Sequence, residues 1–169
     1  DVNDVNNFLY PEIDKFINSL NQLKGMNDGV SFIYDQIINY KVIGIFGDYD
    51  VDGASATSLL INFFKCIKVN YEFFIPDREI DGYGPTKNSF EKLIKKNVNS
   101  IITVDCGTVS FDAINFAKNK NINTLVIDHH QSETRLPEAF SIINPNRFDD
   151  SSGLNNLCAT AITYFFIFS

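Results

Sequence analysis

Four short apolar runs punctuate the chain: VIGIF at 42–46, YEFFI at 71–75, IITV at 101–104 and NTLVI at 123–127. A strand with one face in water alternates apolar and polar residues, whereas runs this continuously apolar suit strands covered on both faces. Between them lie amphipathic stretches of helical length at 54–67, 86–97 and 110–119. Short β-rich runs alternating with helices imply βαβ units, and hence an α/β fold with a mainly parallel, doubly wound sheet flanked by helices. A further short strand, FSII at 140–143, precedes a loop rich in Pro, Asn, Asp, Ser and Gly, and a last helix is expected from near Leu157. Ahead of the sheet, residues 11–22 and 27–39 carry apolar residues at helical spacing, the second behind Asn27 or Asp28 as cap. The expected organisation is an N-terminal helical extension over 1–40 and an α/β domain over 41–169.

A chain of 169 residues suits one domain with a sizeable core, and 44% hydrophobic with 14% aromatic residues marks it as globular. Cys66, Cys106 and Cys158 are odd in number and lack a CxxC pair, so neither a disulfide framework nor a zinc knuckle is indicated, and a reducing cytoplasm fits. No signal peptide opens the sequence, and the apolar AITYFFIFS is too short to span a bilayer, so no membrane association is expected. A start at Asp1 and a stop inside that apolar stretch are what an excised piece would show.

The chemistry concentrates in acidic groups. GDYDVDGASA at 47–56 places Asp48, Asp50 and Asp52 at alternate positions directly after the first apolar run. Asp105 follows the third run, and Asp128-His129-His130 follows the fourth. All fall at carboxyl ends of strands, the edge where ligands bind in an open parallel sheet, so distant segments converge on one crevice. A solvated turn is the plain reading of DYDVDG. A calcium loop requires a bidentate Glu at its twelfth position and a helix in front; Leu59 stands there, and a strand precedes it. A haloacid-dehalogenase-like phosphatase would use Asp50 as nucleophile and Asp52 as acid/base partner, but leaves the DHH triplet without a task.

A binuclear metal site employs more of the cluster. Carboxylate oxygens and imidazole nitrogens suit Mn²⁺ or Mg²⁺, and two such ions can serve a phosphoryl displacement. Two divalent cations would also offset the crowded carboxylates, bringing the formal charge of −7 to roughly −3. That acidic balance argues against a broad basic surface for nucleic acid. Gly53-Ala54-Ser55 open a helix whose amides could receive a phosphate oxygen, against a plain small-residue helix start. DREIDGYGPTK at 77–87 offers Arg78 and Lys87 for phosphates and Tyr83 for stacking, against a plain connecting loop.

GDYDVDGAS, IITVDCGT and VIDHHQ resemble, in order and spacing, the first three motifs of the DHH phosphoesterase superfamily. The resemblance is greatest to its RecJ family of single-strand-specific exonucleases: PDREIDGYG is similar to their loop ending in GYG, and DHHQSETRLPEAFSIINPNR to the segment after their triplet. It runs from about residue 40 to the last residue. It implies that Asp48, Asp50, Asp105, His129 and His130 are metal ligands, that Asp52 is a ligand or stands behind one, and that Asp128 orients the histidines or touches a metal. It further implies a hydrolase dependent on Mn²⁺ or Mg²⁺, acting 5′→3′ on single-stranded DNA in recombination and repair. Family members draw another metal-binding aspartate from a fourth motif, after the helix that begins here near Leu157, so this piece alone is expected to bind metal weakly and to be inactive or at least tenfold slower than a chain that carries it. Other members of the superfamily cleave short oligonucleotides, cyclic dinucleotides or pyrophosphate. A phosphatase and a non-catalytic module binding a partner or nucleic acid complete the open alternatives.

Overall fold

The computed structural model describes residues 22–169, together with Val5, Leu9 and Tyr10. The helix expected over 11–22 lies, except for Gln22, outside the described residues. From there the order is α1 (Met26–Ile38), β1 (Ile43–Phe46), α2 (Val51–Cys66), β2 (Tyr71–Phe74), α3 (Lys87–Ile94), β3 (Ser100–Val104), α4 (Phe111–Asn119), β4 (Asn123–Ile127), β5 (Ser141–Ile143) and α5 (Ala159–Phe168). The strands form one sheet in the order β2-β1-β3-β4-β5. Every pairing is parallel, with Ile45 facing Phe73 on one side and Ile102 on the other.

Side chains alternate across each strand and so serve two cores. Ile43, Ile45, Ile102, Val104, Leu125 and Ile127 pack under α1, α2 and α5, through Phe32, Leu60, Phe64, Ile162 and Phe166. Phe46, Ile101, Val126 and Ile142 pack under α3 and α4, through Phe90, Leu93, Ile114 and Ala117. Helices on both faces explain why the strands read as unbroken apolar runs. The expected boundary at residue 40 falls between α1 and β1, which share one core, with Met26, Phe32 and Ile33 of α1 buried in it. Gly25 makes that packing close: it caps α1 at φ 84°, and a Cβ there would sit 2.6 Å from the Ile142 carbonyl oxygen.

This strand order creates a switch point. The chain leaves β1 by α2 on one face and leaves β3 by α4 on the other, so the loops after β1 and β3 part and open a crevice between them. Among the described residues, no helix is long and apolar enough to cross a membrane.

Candidate metal centre

The strand ladders continue one step beyond the strands. Gly47 donates its amide to the Phe74 carbonyl at 3.1 Å, Asp105 to Ile127 at 2.9 Å and Asp128 to Ile143 at 3.0 Å. The three acidic segments are thereby hung from the sheet edge rather than from free loops. Asp105 then turns into the left-handed region at φ 62°, which Asp tolerates better than most residues. Gly107 follows at φ 114°, where a Cβ would meet the Thr103 hydroxyl at 2.6 Å.

Two sets of three side chains each bring potential ligand atoms within 4.8 Å of one another: Asp48, Asp50 and Asp105, and Asp105, His129 and His130. Asp105 belongs to both. Its Oδ1 lies 3.2 Å from His129 Nε2, yet it is a buried oxygen without a hydrogen-bond partner. Burial, followed by the charges of Asp52 and Asp50, pushes its carboxyl up to about 8. Asp48 is also raised, by burial first, although it accepts the Tyr49 amide at 2.7 Å. An orphaned carboxylate oxygen between two carboxylates and two imidazoles fits hard divalent cations, which the two sets would hold with Asp105 common to both.

Asp50 is the N-cap of α2, accepting the Gly53 amide at 2.9 Å, and the Ala54 amide goes to the Asp50 carbonyl at 2.9 Å. The first-turn amides considered for phosphate are thus engaged within the chain. Because α2 begins at Val51 and not near residue 54, Asp52 sits in its first turn. There it accepts the Ala159 amide on Oδ2 and the Thr160 amide on Oδ1, both at 2.8 Å, and the Thr160 hydroxyl donates to its carbonyl at 3.0 Å. Burial pushes this carboxyl up, but the Thr160 and Ala159 bonds outweigh it and leave it below the ordinary range. Asp52 Oδ2 remains 3.6 Å from His129 Nε2.

Asp128 is buried and holds the triplet together. Its Oδ1 lies 2.7 Å from His130 Nδ1 and accepts the amides of His129 and His130 at 2.7 and 3.2 Å; its Oδ2 accepts the Thr108 amide at 3.0 Å. Burial would raise Asp128, but the His130 and Thr108 bonds prevail and hold it at about 2. The same contact pushes His130 up to about 9. With Nδ1 turned to a carboxylate, Nε2 is the nitrogen that faces the crevice, where the Tyr83 hydroxyl lies 3.3 Å away. Burial, then the charges of Asp48 and Asp128, raise the Tyr83 phenol.

The candidate substrate residues are divided. Tyr83 stands over His130, and the Arg78 guanidinium lies 5.6 Å from the ring of Tyr49, whose edge meets Tyr83 at 6.4 Å. Lys87 lies 3.7 Å from Asp112, which lines the cavity beside His130, whereas Ser55 lines a separate apolar depression with Val51, Leu59 and Thr160. A cavity of about 460 Å³ opens beside His130, walled by Tyr83, Pro85, Gly107, Val109 and Phe111. Tyr49, Thr108, Asn144 and Asn146 fall inside the segments that resemble the DHH phosphoesterases, but the sequence assigned none of them a role.

A sequence model of the DHH family, N-terminal domain, matches residues 42–167, from the threshold of β1 into α5. The single-stranded-DNA-specific exonuclease RecJ of Haemophilus influenzae is 36% identical over 139 residues, 80% of this chain and 24% of its own. The corresponding RecJ of Bacillus subtilis is 32% identical over 126 residues, 75% of this chain and 16% of its own. The chain therefore spans between 16% and 24% of the length of these relatives. A crystal structure of exonuclease RecJ bound to manganese matches the fold with a TM-score of 0.77 at 22% identity, over 86% of this chain and 37% of that one. RecJ of Thermus thermophilus in complex with Mn²⁺ gives 0.71 at 19% identity, over 86% of this chain and 20% of that one. With a parallel sheet, its acidic switch point and a family match running through both, the chain belongs to the DHH family.

Proposed function

We propose that this domain binds two divalent cations, Mn²⁺ or Mg²⁺, and hydrolyses the phosphodiester bonds of single-stranded DNA from the 5′ end. The observation that carries the reading is the pair of three-residue sets sharing Asp105, whose buried Oδ1 has no hydrogen-bond partner. Support for the substrate comes from the relatives named single-stranded-DNA-specific exonucleases, and for the cation from RecJ structures containing manganese or Mg²⁺. A role in recombination and repair, and a cytoplasmic location, accord with such a substrate.

Asp48, Asp50, Asp105, His129 and His130 would hold the cations, which supply Lewis-acid charge at the attacked phosphate. Asp128 fixes the His130 ring so that Nε2 is presented to the crevice. Asp52 supports His129 from behind while it anchors α5. Tyr83 and Arg78 form the rim that an unpaired strand meets first, one by stacking and one by charge.

The test is a single strand labelled at its 5′ end, incubated with Mn²⁺. Labelled mononucleotide should appear first, duplex should be spared, and Asp105→Ala or His130→Ala should lower the rate by about 10–100-fold or more. Activity that survives His130→Ala but not Asp50→Asn would indicate an aspartyl-nucleophile phosphatase instead. Hydrolysis of a cyclic dinucleotide or pyrophosphate with DNA left intact would retain the family and overturn the substrate. Strand binding without any turnover would leave a binding module.

A further inference from the structure

The loop after β5 touches the metal centre from behind. Its sequence is Asn144-Pro145-Asn146, which read in isolation is turn chemistry. Pro145 disfavours the helical conformation at Asn144, the residue that follows β5. The chain then folds back, with the Asn146 amide donating to Asn144 Oδ1 at 2.7 Å. This leaves both side-chain NH₂ groups free to point towards the DHH triplet. Asn144 Nδ2 donates to the His130 carbonyl at 2.9 Å and to the Thr108 hydroxyl at 2.8 Å. Asn146 Nδ2 donates to the His129 carbonyl at 2.6 Å.

These bonds complete a set. The amides of His129 and His130 are already held by Asp128, so all four main-chain polar groups of the two histidines are engaged by three side chains. Thr108, which Asn144 also holds, donates its amide to the other oxygen of Asp128. Asn144 is wholly buried and has its amide fully used, so no other rotamer is available to it. β4 and β5 pair as far as the Asp128 amide and the Ile143 carbonyl; beyond that point the two asparagines take over from the ladder.

We propose that Asn144 and Asn146 are positioning residues: they fix the backbone of His129 and His130, and through it the direction in which the two imidazoles face the cations. The proposal rests on the metal-centre reading above. It assigns the asparagines no contact with substrate or metal.

The chain contains only two histidines, so its imidazole ring resonances report on this site alone. The main variant is Asn146→Asp, which keeps shape and acceptor but replaces the donor with an oxygen facing the His129 carbonyl. In the metal-free protein its His129 ring signals should shift or double, and Mn²⁺ affinity by titration calorimetry should fall about tenfold. Asn146→Ala should act in the same direction. Arg147→Gln serves as the control for mere loop damage: it breaks the Arg147 bonds to Asp149 and the Ile142 carbonyl, touches neither histidine, and should lower thermal stability with Mn²⁺ affinity kept. Unmoved ring signals and wild-type affinity in both Asn146 variants would overturn the proposal. So would an equal loss of affinity in Arg147→Gln. Absence of Mn²⁺ binding in the wild type would sink the metal reading instead, while the ring signals of the metal-free protein would still decide the positioning role.

Discussion

A methyl group added at Gly53 would lie 2.6 Å from the Cβ of Asp48 and 2.7 Å from its Cα and carbonyl oxygen. All three atoms belong to Asp48, the first of the proposed ligands, and two are backbone, so there is no flexible side-chain end to give way. Gly53→Ala is therefore expected to push α2 off the end of β1, and to move Asp48 and Asp50 apart with it. Overpacking of this kind costs about 1–3 kcal/mol. A urea unfolding curve should show that loss, and a Mn²⁺ titration a weakened site. Wild-type behaviour in both would mean that α2 slides without disturbing the turn. The glycine of DYDVDG was legible as turn chemistry; the helix packing that requires it was not, because it depends on how near α2 approaches the strand.

At the scale of elements, α5 has an N-cap, Cys158, that makes no side-chain cap bond. Asp52 of α2 supplies the acceptors in its place. Asp52→Ala should cost about 1–2 kcal/mol, the value of a lost cap, and Asp52→Asn less, since one oxygen remains. If Asp52 were a direct ligand, Asp52→Asn would weaken Mn²⁺ binding as steeply as Asp105→Asn; the geometry predicts a smaller loss, read from the two titrations. The sequence shows Asp48, Asp50 and Asp52 as equals, evenly spaced. They part in space because Asp50 caps a helix: from Val51 onward successive residues rotate by about 100°, and strand-like alternation ceases to describe which way they point. Helix starts are where sequence patterns are least decisive, since the cap itself is not periodic.

Over the whole molecule, the sequence was more informative. The strands lie within a residue or so of the apolar runs, because burial on both faces leaves an unbroken signature that does not depend on register. The convergence of Asp48, Asp105 and His129 was expected from their places just beyond the carboxyl ends of strands in a parallel sheet. What escaped were the roles of Asn144 and Asn146, which reach the site from behind: polar residues in a loop look alike in sequence whether they face water or a carbonyl. The clustered charge also makes the molecule's stability depend on its ions. Because cations bind the assembled site and not the unfolded chain, Mn²⁺ at 100 times its dissociation constant should add about 2.7 kcal/mol. Thermal melting should shift upward with Mn²⁺ in the wild type and stay fixed in Asp105→Ala; equal shifts in both would place binding elsewhere.

The amides of Gly47, Asp105 and Asp128, bonded to the ends of neighbouring strands, set the tempo at which the site can open. Loops fray on their own, but a residue joined to the ladder opens only when the sheet does. In hydrogen–deuterium exchange the amides of Asp105 and Asp128 should be as slow as those of Ile102 and Val126, and orders of magnitude slower than those of the 77–84 loop. Rapid exchange at Asp105 would show a hinge where the geometry has none. With a scaffold this slow, an ion comes and goes through the solvent side while the frame stays shut. Chelation and reloading should then finish within seconds, with no refolding phase.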